Sequence, residues 1–191
     1  MRQYGRRFKK GLNCIIEPEV TIGDNVTLGH NVILRDGTII GNDVALSDNV
    51  CTTGLCYIGN HAIIRAGSII SRGVIIEDFA FIGAGVVTSS MKRVFYHRPK
   101  IEGRILITKI GYGAIIGSKC CLSAGIIVGN NATIGYASFV NKDIADNCLA
   151  YGSPIKEVSI LYEEERVEID SGWKEFNFDV SSLMHYLPLA Q

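Results

Sequence analysis

An aliphatic side chain returns every six residues, at Ile16, Ile22, Leu28, Leu34, Ile40, Leu46, Ile58, Ile64, Ile70, Ile76 and Ile82, with Thr52 the one interruption. Two positions before each stands a smaller or β-branched partner, as in Val20, Val26, Val32, Thr38, Val44, Val50, Cys56, Ala62, Ser68, Val74 and Ala80. The two sets share parity, so on a short strand both point to the same side, and a turn must separate one strand from the next. An amphipathic helix needs apolar spacings of three and four, and hairpin arrays do not hold one register from Ile16 to Val87. A β-solenoid built from hexads satisfies the pattern.

The turn residues carry a longer period. Asp24-Asn25, Asn42-Asp43, Asn60-His61 and Asp78-Phe79 recur every eighteen residues, as do His30-Asn31, Asp48-Asn49, Ala66-Gly67 and Ala84-Gly85. Asp36-Gly37, Gly54 and Arg72-Gly73 mark a third series. Asn, Asp and Gly accept the positive φ of a tight corner, so three hexads make one triangular coil. Residues eighteen apart then stack across parallel strands about 4.8 Å apart. The register breaks between Thr88 and Lys109 and resumes at Ile110, Ile116, Leu122, Val128, Ile134 and Val140. The 28 residues from Ile82 to Ile110 are not a multiple of six, so the segment 88–109 projects as an excursion. Between Thr88 and Lys109 it carries five basic residues, one His and two aromatics, which suits an anionic ligand. About six coils are expected over residues 1–154, and 155–191 are expected to cap the last one as a short helix or strand pair, with Trp173 and Phe176 packing.

Composition narrows the function. The 19 basic and 19 acidic residues cancel, which argues against a nucleic-acid or membrane-surface protein. The basic stretch from Arg2 to Lys10 lacks a following apolar run, so neither a secretory signal nor a membrane span is expected there; it reads as a solvated first cap or an anion contact. Cys14, Cys56 and Cys120 fall on small inward positions, where a thiol serves as a small hydrophobe, and reduced cysteines in a cytoplasmic protein are expected.

The Ile22-Gly23, Ile40-Gly41, Ile58-Gly59, Ile82-Gly83, Ile116-Gly117 and Ile134-Gly135 pairs in hexad register resemble the left-handed parallel β-helix acyltransferases. The resemblance implies an all-β fold, an acyl-CoA cosubstrate and a homotrimer with its catalytic centre between subunits. Asn141 to Pro154 is similar to the family's closing segment, a Lys-Asp followed by Gly-Asn-Pro, with Ser153 in place of that Asn. In such enzymes this end of the helix lies along coenzyme A. By position, Ser118, Ala124, Gly135, Lys142 and Pro154 become its candidate contacts.

Acyl transfer from a thioester needs a base, and there are four histidines. His185 lies in the tail and is set aside. His30, in Leu28-Gly29-His30-Asn31, falls where nucleotide-linked amino-sugar N-acyltransferases carry Ile-Trp-His-Phe, with Asp48 one coil later. His61 has Asp43 one coil before, and either imidazole could be carboxylate-oriented. His97 lies in the excursion, where xenobiotic acetyltransferases carry Asn-His-Arg. At Ile64-Arg65-Ala66-Gly67 the N-acyltransferases have Ile-Gln-Asn-Asn; Asn31 and Asn49 could substitute for that missing pair, with Arg35 and Arg65 as further acceptor contacts. The resemblance thus implies N-acylation of a nucleotide-linked deoxy-amino-sugar. A sugar O-acetyltransferase, of which His97-Arg98-Pro99 is a loose echo, and a non-catalytic assembly subunit are the alternatives. The three-histidine zinc site of β-helical carbonic anhydrases needs a His-x4-His spacing that does not occur, so no metal is expected.

Overall fold

A computed structural model describes residues 4–93, 96–98, 100 and 103–167 of the 191. The chain winds as a parallel β-helix whose turns visit three sheets in rotation. Sheet A runs from Thr21–Ile22 through Thr38–Ile40, Cys56–Ile58, Val74–Ile76 and Thr108–Ile110 to Ile127–Val128. The parallel strands of sheet B run from Lys9–Lys10 to Cys148–Tyr151, and sheet C runs from Ile15–Ile16 to Phe139–Val140. Registers such as Ile22↔Ile40 and Ile64↔Ile82 confirm the eighteen-residue stacking.

The coil number differs from the expected six. Eight strands of sheet B stack in parallel, and isolated bridges Tyr4↔Ile22 and Val128↔Ile144 extend sheet A to eight levels as well. Both extra turns lacked the hexad signature for physical reasons. In the first, Lys10 takes the slot of Leu28, tolerable because no described coil lies beneath it, while Tyr4 and Phe8 pack on the core from the same turn. In the last, stacking partners are sixteen apart rather than eighteen, Val128 with Ile144 and Ile134 with Ala150.

The interior is the hexad pattern made solid. Leu34, Ile58, Ile64, Ile70, Ile76, Ile82, Ile110 and Ile116 are fully buried, each contributing on the order of 1.5–3 kcal/mol by leaving water. Thr52 also points inward and is fully buried; its Oγ lies 2.7 Å from Thr38 Oγ and accepts the Arg35 N–H at 3.1 Å. Ser68 Oγ donates to the Gly83 carbonyl at 2.9 Å. Polar interior positions are thus satisfied, which removes the desolvation penalty of an unpaired group. Cys56 and Cys120 are buried in this column as expected, and burial pushes the Cys56 thiol up to about 12.

Where glycine follows an inward Ile, as at Ile58-Gly59, it has a steric cause. A Cβ on Gly59 would stand 2.5 Å from Asp78 Oδ1 and 2.6 Å from Asp78 N, so the next coil's corner occupies that space. Outside the helix, Leu55, Tyr57 and Ile75 form a second buried cluster on sheet A with Ile39 and Ile107 against it. Sheet C instead leaves an apolar ladder in the open, with Ile15 at 52% and Ile69 and Val87 at 40% exposure.

Beyond the last coil, Lys156–Ile160 pairs antiparallel with Cys148–Tyr151, followed by a 3-10 turn at Glu163–Glu165. This resolves the choice left open for the start of the tail in favour of a strand, and it covers one edge of sheet B. Trp173, Phe176 and His185 lie outside the described residues.

Candidate functional site

The corners between sheets form three edges running along the axis, and every candidate residue lies on or beside one of them. On the AB edge a polar ladder uses each corner side chain to accept the main-chain N–H one coil before it. Asp24 N donates to Asn42 Oδ1 at 2.7 Å, Asn42 N to Asn60 Oδ1 at 2.8 Å and Asn60 N to Asp78 Oδ1 at 2.7 Å. The CA edge opens on Glu17, whose carboxyl is held below the usual range first by its hydrogen bond to the Arg35 guanidinium and next by the Asp36 N–H.

His30 belongs to the same kind of ladder on the BC edge. Its Nδ1 accepts the Leu12 N–H at 3.0 Å, and its own N–H donates to Asp48 Oδ1 at 2.7 Å. The expected carboxylate–imidazole pairing with Asp48 is therefore corrected: the carboxylate holds the His30 main chain, not the ring. With Nδ1 already accepting, the neutral ring carries its proton on Nε2 and presents a donor.

His61, on the AB edge, is placed differently. Its Nε2 lies 3.7 Å from Asp43 Oδ2, so a carboxylate does stand beside this imidazole, one coil before it. The ring stacks on Phe79 at 4.7 Å and 11°, and Phe79 meets Tyr112 at 5.3 Å. His61 and Phe79 hold φ of 56° and 60°, in corner positions that elsewhere are mostly Asn or Gly. The Tyr112 contact was hidden from sequence reading because the excursion lengthens the stacking interval there from eighteen to 34 residues, as in Ile82↔Ile116.

His97 sits exposed on the excursion, edge-on to Tyr96 at 4.4 Å; Pro99 lies outside the described residues. The excursion leaves sheet C after Thr88 and re-enters sheet A at Thr108, which pairs with Val74. Its base is closed by Leu106 N donating to the Ser90 carbonyl at 2.9 Å. The described basic residues Lys92, Arg93, Arg98, Lys100 and Arg104 are all exposed, so the excursion is a cationic projection from the CA edge.

The remaining candidates divide between two edges. On the BC edge, Asn31 Nδ2 donates to Asn49 Oδ1 at 3.3 Å, Arg65 is exposed, and Ser118 Oγ accepts the Ala84 N–H at 3.1 Å. Gly135 and Pro154 continue that edge upward. On the CA edge, Arg35 is ion-paired with Glu17, Ala124 is fully buried and Lys142 is exposed. Sequence reasoning passed over Tyr136 and Tyr151, which stand on the upper BC edge at 82% and 50% exposure. Among the described residues no group of three or more His, Cys, Asp or Glu is placed to hold a metal ion, and no helix is long and apolar enough to cross a membrane.

Comparison with known proteins gives this geometry a context. A family profile described as "Hexapeptide repeat of succinyl-transferase" matches residues 19–53, 57–89 and 107–140. The chain is 29% identical to the bifunctional protein GlmU of Methylococcus capsulatus, over 90% of this chain and 40% of that one. It therefore spans about 40% of the length of that relative. The acetyltransferase domain of PglB from Neisseria gonorrhoeae, solved with acetyl coenzyme A, superposes with a TM-score of 0.56 at 18% identity, covering 76% of this chain and 58% of that one. A perosamine N-acetyltransferase variant from Caulobacter crescentus, solved with CoA and GDP-perosamine, gives 0.50 at 19% identity, covering 77% and 54%. At these identities the two solved structures share the fold.

Proposed function

Because the chain belongs to the hexapeptide-repeat family, we propose that it is an acyl-CoA-dependent N-acyltransferase acting on the amino group of a nucleotide-linked deoxy-sugar. The observation that carries this reading is the cationic excursion, projecting from an otherwise regular solenoid between the fifth and sixth coils. It suits a substrate with a diphosphate, and the perosamine N-acetyltransferase solved with CoA and a nucleotide sugar has the same solenoid. The amine nitrogen attacks the thioester carbonyl, the C–S bond breaks, CoA leaves as the thiolate, and the amine proton passes to a base. His30, an Nε2–H donor, and Arg65 orient the acceptor from the BC edge, and His97, exposed on the excursion of the CA edge that faces it, is the base; His61, with Asp43 beside it, stands on the AB edge outside that groove. The six free thiols accord with a cytoplasmic, reducing setting.

The candidate CoA contacts Ser118, Gly135 and Pro154 lie on the BC edge of one copy, and Ala124 and Lys142 on its CA edge. One CoA can touch both sets where the BC edge of one copy faces the CA edge of the next. A homotrimer supplies that groove and covers apolar outer faces such as the Ile15, Ile69 and Val87 ladder. Sedimentation is expected to give a trimer; a stable monomer at micromolar concentration would remove the groove. For the reaction, acyl-CoA consumption is measured against amino-sugar nucleotides and their hydroxyl counterparts. Turnover with amines only is expected, and turnover with hydroxyl acceptors only would replace this reading by O-acetylation.

A further inference from the structure

The AB edge carries two rings at corners whose neighbours in the same column are Asn25, Asp43, Gly113 and Asn131. A side chain as bulky as Phe79 is strained at positive φ, and packing has to offset that strain. Exposure along this edge is uneven. Asn25 and Asp43 are exposed, whereas His61, Phe79, Asn131 and Asn147 are half-buried, and Gly113 and the Tyr112 hydroxyl are buried. On the BC edge the equivalent Asn31, Asn49, Gly67 and Ala137 are exposed, and Gly85 is half-buried beneath Lys119. One edge of the solenoid is therefore covered from the His61 level upward.

The upper part of that cover is the segment after the last strand. The Leu161 N–H donates to the Asn147 carbonyl at 2.8 Å, and the Val167 N–H donates to Asn131 Oδ1 at 3.1 Å. Val167 also stands where Gly113 has no side chain, its Cγ2 3.0 Å from the place a Cβ would take. The chain thus leaves the last coil and descends the AB edge toward the N-terminal end. Below Gly113 the next corners are Phe79 and then His61, joined through Gly113 N to the Asp78 carbonyl and Phe79 N to the Asn60 carbonyl, each at 2.9 Å.

We propose that the segment from Glu168 onward continues down this edge as a strap and lays Trp173 on the stacked rings of Phe79 and His61. The six residues from Val167 to Trp173 span up to about 20 Å. The His61 level lies only two steps of about 4.8 Å below Gly113. Indole offers a broad apolar face, and aromatic pairs gain from offset or edge contact beyond the area they bury. Phe176 and Phe178 follow within the same stretch and keep it apolar. His61 then serves as a packing ring, and the AB edge is closed to ligands. The strap stands independently of the acyl-transfer reading.

Trp173 is the chain's single tryptophan, so its fluorescence reports the docking directly. In the full-length protein its emission is expected to lie to the blue of the urea-unfolded chain and to be shielded from acrylamide. Phe79→Asn, which puts at this corner a residue that its φ favours, is expected to move the emission to the unfolded position and restore quenching while the far-UV circular dichroism stays that of the wild type. His61→Asn gives the same reading should Phe79→Asn not fold. Tyr151→Ala and Ile160→Ala, at the last coil, are expected to change neither signal. A wild-type tryptophan as open to acrylamide as in the unfolded chain, or an emission that the corner variants leave unchanged, would overturn the proposal. So would a shift produced by the last-coil variants instead, which would place the segment over the end of the solenoid. Co-refolding Phe79→Asn chains with Trp173→Phe chains is expected to leave the tryptophan open; restored shielding would mean that the segment docks on a second copy and would overturn the strap on its own edge.

Discussion

Replacing His97 with alanine is expected to lower kcat/KM by ~10²–10⁴-fold while leaving the dissociation constant for CoA unchanged. The reason lies in where each ring stands and what its nitrogens meet. His97 is exposed on the excursion of the CA edge, the edge that faces the BC edge of the next copy, whereas His61, with Asp43 Oδ2 at 3.7 Å from its Nε2, stands on the AB edge outside that groove. His30 has its Nδ1 occupied by the Leu12 N–H, and accepting a proton there would cost that bond. His30→Ala is expected to raise the acceptor KM with a smaller change in kcat, because an exposed Leu12 N–H can turn to water. A His97→Ala enzyme at full rate, with His30→Ala or His61→Ala inactive, would move the base to one of those two.

Ile64→Ala is expected to destabilise the fold by about 2–5 kcal/mol, measured by equilibrium denaturation. Ile64 is fully buried and lies in register between Leu46 below and Ile82 above. Strands of two residues have no slack with which to fill a lost side chain, and each coil rests on its neighbours, so the cavity persists. Thr27→Ala, on the outer face of sheet B, should change stability by less than about 0.5 kcal/mol. Comparable losses at the two positions would mean that the interior does not carry the stability assigned to it.

The solenoid was legible because one physical requirement, an aliphatic residue inside every six, is written in the chain from Ile16 to Val140 and is broken only at Thr52 and at the excursion. Its ends were not, since end coils escape that requirement. Lys10 can face an open end, and the last coil shortens its stacking interval to sixteen. The site was legible as positions rather than as contacts. Stacking by eighteen put Asp43 next to His61 and Asp48 next to His30, and both neighbours are real. What periodicity cannot tell is which atoms meet: one carboxylate found a ring and the other a main-chain N–H. The outer cluster of Leu55, Tyr57 and Ile75 was also unreadable, because outward positions carry no obligatory residue type.

The corner ladder has a consequence for how such a chain changes length. Each rung joins a side chain to the main chain one coil away, so loss or gain of a whole turn, eighteen residues, reconnects every rung with an equivalent one. Six or twelve residues would instead rotate all later corners onto the wrong edge. The solenoid therefore behaves as a ruler graduated in steps of roughly 4.8 Å. The spacing between the His30 level and the Pro154 level of the BC edge can be altered only in those steps, which quantises the length of any molecule laid between them. The excursion between Thr88 and Thr108 stands outside this constraint: both of its ends rejoin the ladder in register, so its length is free to vary while the graduations hold.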